Sequence, residues 1–248
     1  MIQNLVVNGC SFTDDRNKNT WATILAKQYP NLNYHNLASV AAGNDYIANS
    51  TIEFLEKNNF NPAETLVLIM WSGTGRKDLK VSGEWWYHLN KEYPHGSKLN
   101  DEYYLFSGGL TNSWTTNNTV KKIFTWLYKL SDPTTLCRSS VMNFINLENY
   151  LRVQGYQYKF TSYVNYWDPL TESNFNSGDY SIGHFAKDYS LFQKYNFSNW
   201  FFVNNQRDCL AEFALGINEL DTTGHPTVVG HEKFAKQIVN PAVKELLV

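Results

Sequence analysis

The sequence predicts an α/β fold in which a parallel sheet is wound with helices. Three observations carry that expectation. Short apolar runs alternate with segments of helical periodicity from the first residues onward. The strongest run, Thr65–Met70, is continuously apolar, as a strand buried on both faces requires. Small-residue loops follow the first two runs, at Asn8-Gly-Cys-Ser11 and Ala38–Gly43.

In chain order, Ile2–Val7 reads as the first strand, Trp21–Gln28 as a helix with Thr20 available as cap, and Tyr34–Leu37 as the second strand. Asp45–Lys57 is an amphipathic helix leading into the Thr65–Met70 strand. Lys77–Asn118 carries Trp85, Trp86, Tyr87, Tyr103, Tyr104 and Trp114 among Gly and Asn with weak alternation, and reads as an insertion of loops with a hairpin. Val120–Leu130 and Ser139–Gln154 have helical spacing, and Tyr158–Tyr163 returns as a fourth parallel strand. Asn165–Asn199 is a second loop-rich, aromatic insertion. Phe201–Val203 is a short last strand, Asp208–Ala214 a helical turn, and His231–Val239 and Pro241–Leu247 are the closing helices. No repeat or linker divides the chain, so residues 1–248 are expected to form one domain with insertions at about 77–118 and 165–199.

Composition narrows the function classes. Hydrophobic residues make up 43% and charged residues 18%, which excludes a disordered chain. Net charge is −2 with no basic run, which argues against a nucleic-acid partner. No apolar run approaches the ~20 residues that cross a bilayer, so no membrane partner is expected. Met-Ile-Gln-Asn-Leu-Val-Val reads as a strand and not as an export signal, which points to a cytoplasmic or virion-associated protein. Cys10, Cys137 and Cys209 are too scattered for a disulfide framework or a zinc site, and neither metal nor cofactor is expected. The 16% aromatic content exceeds what a core needs, so some rings are expected to line a cleft or an oligomer or particle contact.

Two constellations carry chemistry. In Gly9-Cys10-Ser11-Phe12-Thr13, Ser11 leaves the carboxyl end of the first strand, where open α/β sheets place ligands. The competing reading is a strand-to-loop turn with Ser11 as a helix cap. Alternation along the strand sends Cys10 to the opposite side, where it packs as a small hydrophobe and not as the nucleophile. In Asp221-Thr-Thr-Gly-His225-Pro226, the proline holds His225 in an extended loop, and Asp221 is placed to accept from Nδ1 and leave Nε2 as base. His231 competes with His225, but a packing role suits it better.

Together these blocks resemble the SGNH (GDSL-type) hydrolases, and especially divergent, often phage-encoded members that start Gly-Cys-Ser-Phe-Thr. Asn8-Gly-Cys-Ser-Phe-Thr is similar to their first block, Asn36-Leu-Ala-Ser…Ala-Gly43-Asn44-Asp45 to the second, and Asp221…Gly-His225-Pro-Thr…Gly-His231 to the last. The resemblance implies a three-layer α/β/α, flavodoxin-like sheet. It implies Ser11 as nucleophile, His225 as base and Asp221 as orienting acid, with the N–H groups of Ser11 and Gly43 forming the oxyanion hole. The substrate would be a small or carbohydrate-like O-acyl ester. Two departures stand out. The usual Gly-x-Asn-Asp after the third strand is replaced by Trp71-Ser-Gly-Thr-Gly-Arg76, leaving Ser72, Gly73 or Arg76 to donate instead. The family's acid lies three residues before the histidine, a position held here by Thr222, with Asp221 one residue further back and Glu219 beyond it. A non-catalytic binding protein and an O-acyltransferase on the same fold remain alternatives.

Overall fold

The computed structural model describes residues 1–17, 19–90, 96–99, 102–107, 118–167, 190 and 194–247. The chain runs β1 (Asn4–Asn8), α1 (Trp21–Gln28), β2 (Asn33–Asn36), α2 (Asn44–Asn58) and β3 (Thr65–Trp71). An excursion follows: β4 (Asp78–Val81), α3 (Gly83–Asn90), β5 (Gly96–Leu99) and β6 (Glu102–Phe106). Then come α4 (Asn118–Leu130), α5 (Pro133–Gln154), β7 (Gln157–Ser162) and α6 (Leu210–Gly216). The last helical run comprises α7 (Val228–Phe234), a π-turn at Ala235–Val239 and α8 (Asn240–Leu247).

The main sheet is parallel throughout, in the order β2-β1-β3-β7. Right-handed crossovers in that order put α1 on one face and α2 and α5 on the other. Accordingly α2 packs against α5, while α1 packs against α7 and the π-turn. The result is the three-layer α/β/α arrangement the sequence predicts. β3 is buried along its whole length, which explains its unbroken apolar run. The anticipated fifth strand at Phe201–Val203 is reduced to one parallel bridge, Phe160 with Trp200, closed by the Phe201 N–H on the Phe160 carbonyl at 2.9 Å.

The segment read as loops with a hairpin is more regular than that. Its described residues form an antiparallel sheet, β4-β6-β5, with α3 packed on β6. β6 is apolar on both sides. Tyr104 and Phe106 meet Tyr46 of α2 edge-on at 5.0 Å, while Leu105 joins Trp86, Val120 and Phe124 in a separate small core. Tyr87 and Trp114 lie outside the residues whose side chains are described, as does most of the 165–199 segment.

What positions the functional end of β1 is Asn8, which is fully buried. Its Nδ2 donates to the Ile47 carbonyl (3.1 Å), Ser50 Oγ (2.9 Å) and Thr51 Oγ1 (3.0 Å) of α2, and its Oδ1 accepts the Gly9 N–H at 2.8 Å. One amide side chain therefore fixes both where the strand stops and how α2 lies beneath it. Asn8→Ala strands several buried polar groups and is expected to lower unfolding stability by about 2–3 kcal/mol, read as a fall in the urea midpoint at constant m.

Candidate active site

Ser11 opens a single helical turn: the Cys10 carbonyl accepts from the N–H groups of Thr13 (2.9 Å) and Asp14 (3.0 Å). The Ser11 N–H is at the amino end of that turn, where no acceptor exists within it. Gly9 is required by close approach, since a Cβ there would lie 2.5 Å from Thr13 Oγ1 and 3.0 Å from the Met70 carbonyl. Cys10 is wholly buried in the core, as strand alternation implies. Ser11 is half-buried, and its Oγ stands 2.9 Å from Nε2 of His225. Residues 214 positions apart are thus within hydrogen-bonding distance.

His225 is delivered by a tight turn. The Gly224 N–H reaches the Asp221 carbonyl (3.1 Å), Gly224 takes a left-handed φ of 79°, and the Asp221 N–H returns to the His225 carbonyl at 2.8 Å. The Asp221 side chain is occupied with this turn. Its Oδ1 accepts from the N–H of Thr223 (2.7 Å), the Thr223 hydroxyl (2.6 Å) and the N–H of His225 (3.0 Å). The expected contact between Asp221 and Nδ1 is replaced by Thr223 Oγ1, 3.0 Å from Nδ1. No sequence motif singles out Thr223. The signal available was Asp-x-x-Gly, a turn signature in which the aspartate commonly serves its own backbone. Glu219, the more distant acidic candidate, pairs with the Thr227 hydroxyl and with Lys233 (3.8 Å).

A cavity of about 530 Å³ opens beside this pair, walled by Asn19, Thr20, Val40, Thr227 and Val228 among others. Phe12 packs 4.8 Å from both the His225 and Tyr163 rings, and the Arg76 guanidinium lies 5.3 Å from the Tyr163 ring centre. Burial lowers the His225 pKa from its ordinary value; Asp221 opposes the shift and Arg76 adds to it. His231 also faces the cavity, but its Nδ1 accepts the Trp21 N–H at 3.3 Å, capping α1, whose Thr20 makes no side-chain cap. Burial and the neighbouring His225 push His231 down to about 4.

The oxyanion expectations fare unequally. The Gly43 N–H donates to Asp78 Oδ1 at 2.8 Å, and Asp78 Oδ2 accepts the Tyr46 N–H at 2.8 Å, so this carboxylate caps α2 and occupies the anticipated donor. The fit is close: a Cβ on Gly43 would lie 2.8 Å from Asp78 Oδ2. Desolvation and the charge of Asp45 raise the Asp78 pKa to about 7. The Ser72 N–H is held by Asn44 Oδ1 at 2.8 Å and its side chain is fully buried, which removes Ser72. Gly73 is buried, and its carbonyl accepts the Arg76 N–H at 3.2 Å. The charged side chain among these candidates is Arg76, whose field reaches His225. Among the described residues, no cluster of three or more His, Cys, Asp or Glu is placed to hold a metal, and no helix is long and apolar enough to cross a membrane.

Two pH-dependent outcomes follow. His225 is expected to titrate below 6.5 by NMR, and Arg76→Ala to move that titration upward. For His231 the folded-state pKa is depressed, so the unfolded chain binds more protons between pH 6.5 and about 4, and stability falls as pH falls through that window. Relative to His231→Gln, the native chain should lose up to about 3 kcal/mol on acidification across it, measured by denaturant unfolding at each pH.

No curated protein matches the sequence significantly. Solved structures resemble it at low identity. A crystal structure of TesA has 13% identity and a TM-score of 0.49, with 99% of this chain and 100% of that one covered. A lipolytic protein of the G-D-S-L family from Veillonella parvula has 10% identity and a TM-score of 0.49, with 98% and 97% covered. The psychrotrophic esterase EstA from a Pseudoalteromonas species has 11% identity and a TM-score of 0.48, with 99% and 98% covered. A family model, described as a family of unknown function (DUF6071), matches residues 4–248, and the chain belongs to that family.

Proposed function

We propose that the chain is a serine esterase of the SGNH type, removing O-acyl groups, O-acetyl in particular, from a small or carbohydrate-like substrate. The observation that carries the reading is the 2.9 Å approach of Ser11 Oγ to His225 Nε2 at the edge of an open cavity. Ser11 attacks the ester carbonyl as His225 takes its proton; the imidazolium then protonates the departing alcohol. Water, activated by the same imidazole, releases the acyl group from Ser11. With Gly43 committed to Asp78, the Ser11 N–H and the Arg76 guanidinium are the donors assigned to the oxyanion. The cavity wall mixes the polar residues Asn19, Thr20 and Thr227 with the small apolar surfaces of Val40, Pro226 and Val228, which suits a small polar alcohol and a short acyl chain.

A second reading, a non-catalytic glycan-binding or structural protein, is favoured by the occupied Gly43 N–H. An acyltransferase differs only in taking a sugar hydroxyl where the esterase takes water, and product analysis with an acceptor present separates the two. The deciding test is a fluorophosphonate probe with acetyl and longer p-nitrophenyl esters. Labelling at Ser11, lost together with hydrolysis in a folded Ser11→Ala variant, is the expected outcome. Glycan binding that survives Ser11→Ala, with neither labelling nor turnover in the native chain, would establish the binding protein instead. Arg76→Ala is expected to reduce kcat by about 10²–10³-fold, the scale of one lost oxyanion donor, with Arg76→Lys retaining part of the rate.

A further inference from the structure

We infer that Thr223 is the positioning residue of the His225 base: its hydroxyl links the Asp221 carboxylate to the imidazole and sets which ring nitrogen carries the proton. The inference rests on the esterase reading for its kinetic consequence, but not for its structural one.

The argument is a proton count. A carboxylate only accepts, so the 2.6 Å contact between Asp221 Oδ1 and Thr223 Oγ1 is donated by the threonine. That hydroxyl has one proton and has now used it. Toward Nδ1 of His225, 3.0 Å away, it can only accept, so Nδ1 must be the protonated nitrogen. Nε2 is left with its lone pair facing Ser11 Oγ, the tautomer a general base needs. A hydrogen bond between His225 and the Thr223 backbone also favours the protonated ring. The other charged or titratable groups acting on His225 are Asp221, which raises its pKa, and Arg76, which lowers it; His231 is coupled to it across the cavity.

The geometry also explains how the acid tolerates its altered spacing. Three residues separate Asp221 from His225, and the turn that closes over them puts a threonine hydroxyl between the two side chains. Because Asp221 and Thr223 are both exposed, water competes for the carboxylate and the link is weaker than a buried triad contact. Asp221→Asn should therefore cost far less than the ~10⁴-fold loss seen when a buried triad carboxylate is neutralised.

The experiment combines ¹⁵N NMR of histidine-labelled protein with kinetics on an acetyl ester for Thr223→Val, Thr223→Ser, Asp221→Asn and the Val/Asn double variant. In the native chain neutral His225 should be protonated at Nδ1. Thr223→Val should shift population to the Nε2-protonated form and reduce kcat by about 10–100-fold with KM little changed. Thr223→Ser should restore both, and the double variant should be no worse than the poorer single, since both act along one link. An unchanged tautomer in Thr223→Val, a loss that serine does not restore, or multiplicative losses in the double variant would each overturn the inference. If the native chain hydrolyses no ester, the esterase reading fails, yet the tautomer measurement still decides the role of Thr223.

Discussion

The approach of the Ser11 hydroxyl to the His225 imidazole joins residues 214 positions apart, and it exists only because each is held still. Each sits on a loop anchored independently. The serine turn is fixed from beneath by Asn8, from behind by the contact of Gly9 with Thr13 and Met70, and from the side by the Thr13 carbonyl, which receives the Asn36 amide at 2.8 Å and the Thr20 hydroxyl at 3.2 Å. Asp14 adds the next loop, accepting the Val40 N–H at 2.9 Å. The histidine loop is closed by the Leu220–Pro226 bridge and by the Thr227 N–H on the Glu219 carbonyl at 2.7 Å. Trp21 and His231 then tie the two loops' helices together, so α7 cannot shift against α1 without moving the His225 loop.

Two carboxylates near the site serve backbone before chemistry. Asp221 satisfies three donors of its own turn, and Asp78 satisfies two at the start of α2. Each saves the cost of leaving an amide unpaired, and each removes a group that the sequence pattern would assign to catalysis. On the esterase reading we propose, the acid is reached through a hydroxyl and the oxyanion through a guanidinium.

The parallel sheet was legible because its strands are governed by one rule. A strand covered on both faces must be apolar at every position, and Leu66 to Met70 are. β6 obeys the same rule but was not recognised, because Tyr103-Tyr-Leu-Phe106 lacks the polar alternation that marks a one-sided strand and is too short and too flanked by Gly and Asn to announce itself. The turns that carry Ser11 and His225 are legible because small motifs around them fix the backbone locally: glycine before a sharp turn, proline after an extended residue. The commitment of Gly43 to Asp78 spans 35 positions and depends on where the chain re-enters after β3, which no local pattern encodes. The contacts of Thr223 with Asp221 and His225 are not legible for a chemical reason, since a threonine between an aspartate and a histidine ordinarily signifies nothing.

The reduced last strand shapes one border of the main sheet. Among the described residues, the outer side of β7 beyond Phe160 is met by a single bridge and then by rings, with Trp167, Phe197, Trp200 and Phe202 packed against one another at 5.4–5.9 Å. Lys159 extends along the same margin to the Ser198 carbonyl at 3.4 Å. An open strand margin is a template for pairing with a second chain, and a charge beside a wall of aromatic side chains denies that template its straight approach. The opposite margin, β2, is only four residues long and polar in three of them, Asn33, His35 and Asn36. Among the described residues, the two borders of the sheet thus differ in character, one aromatic with a lysine along it and the other short and polar.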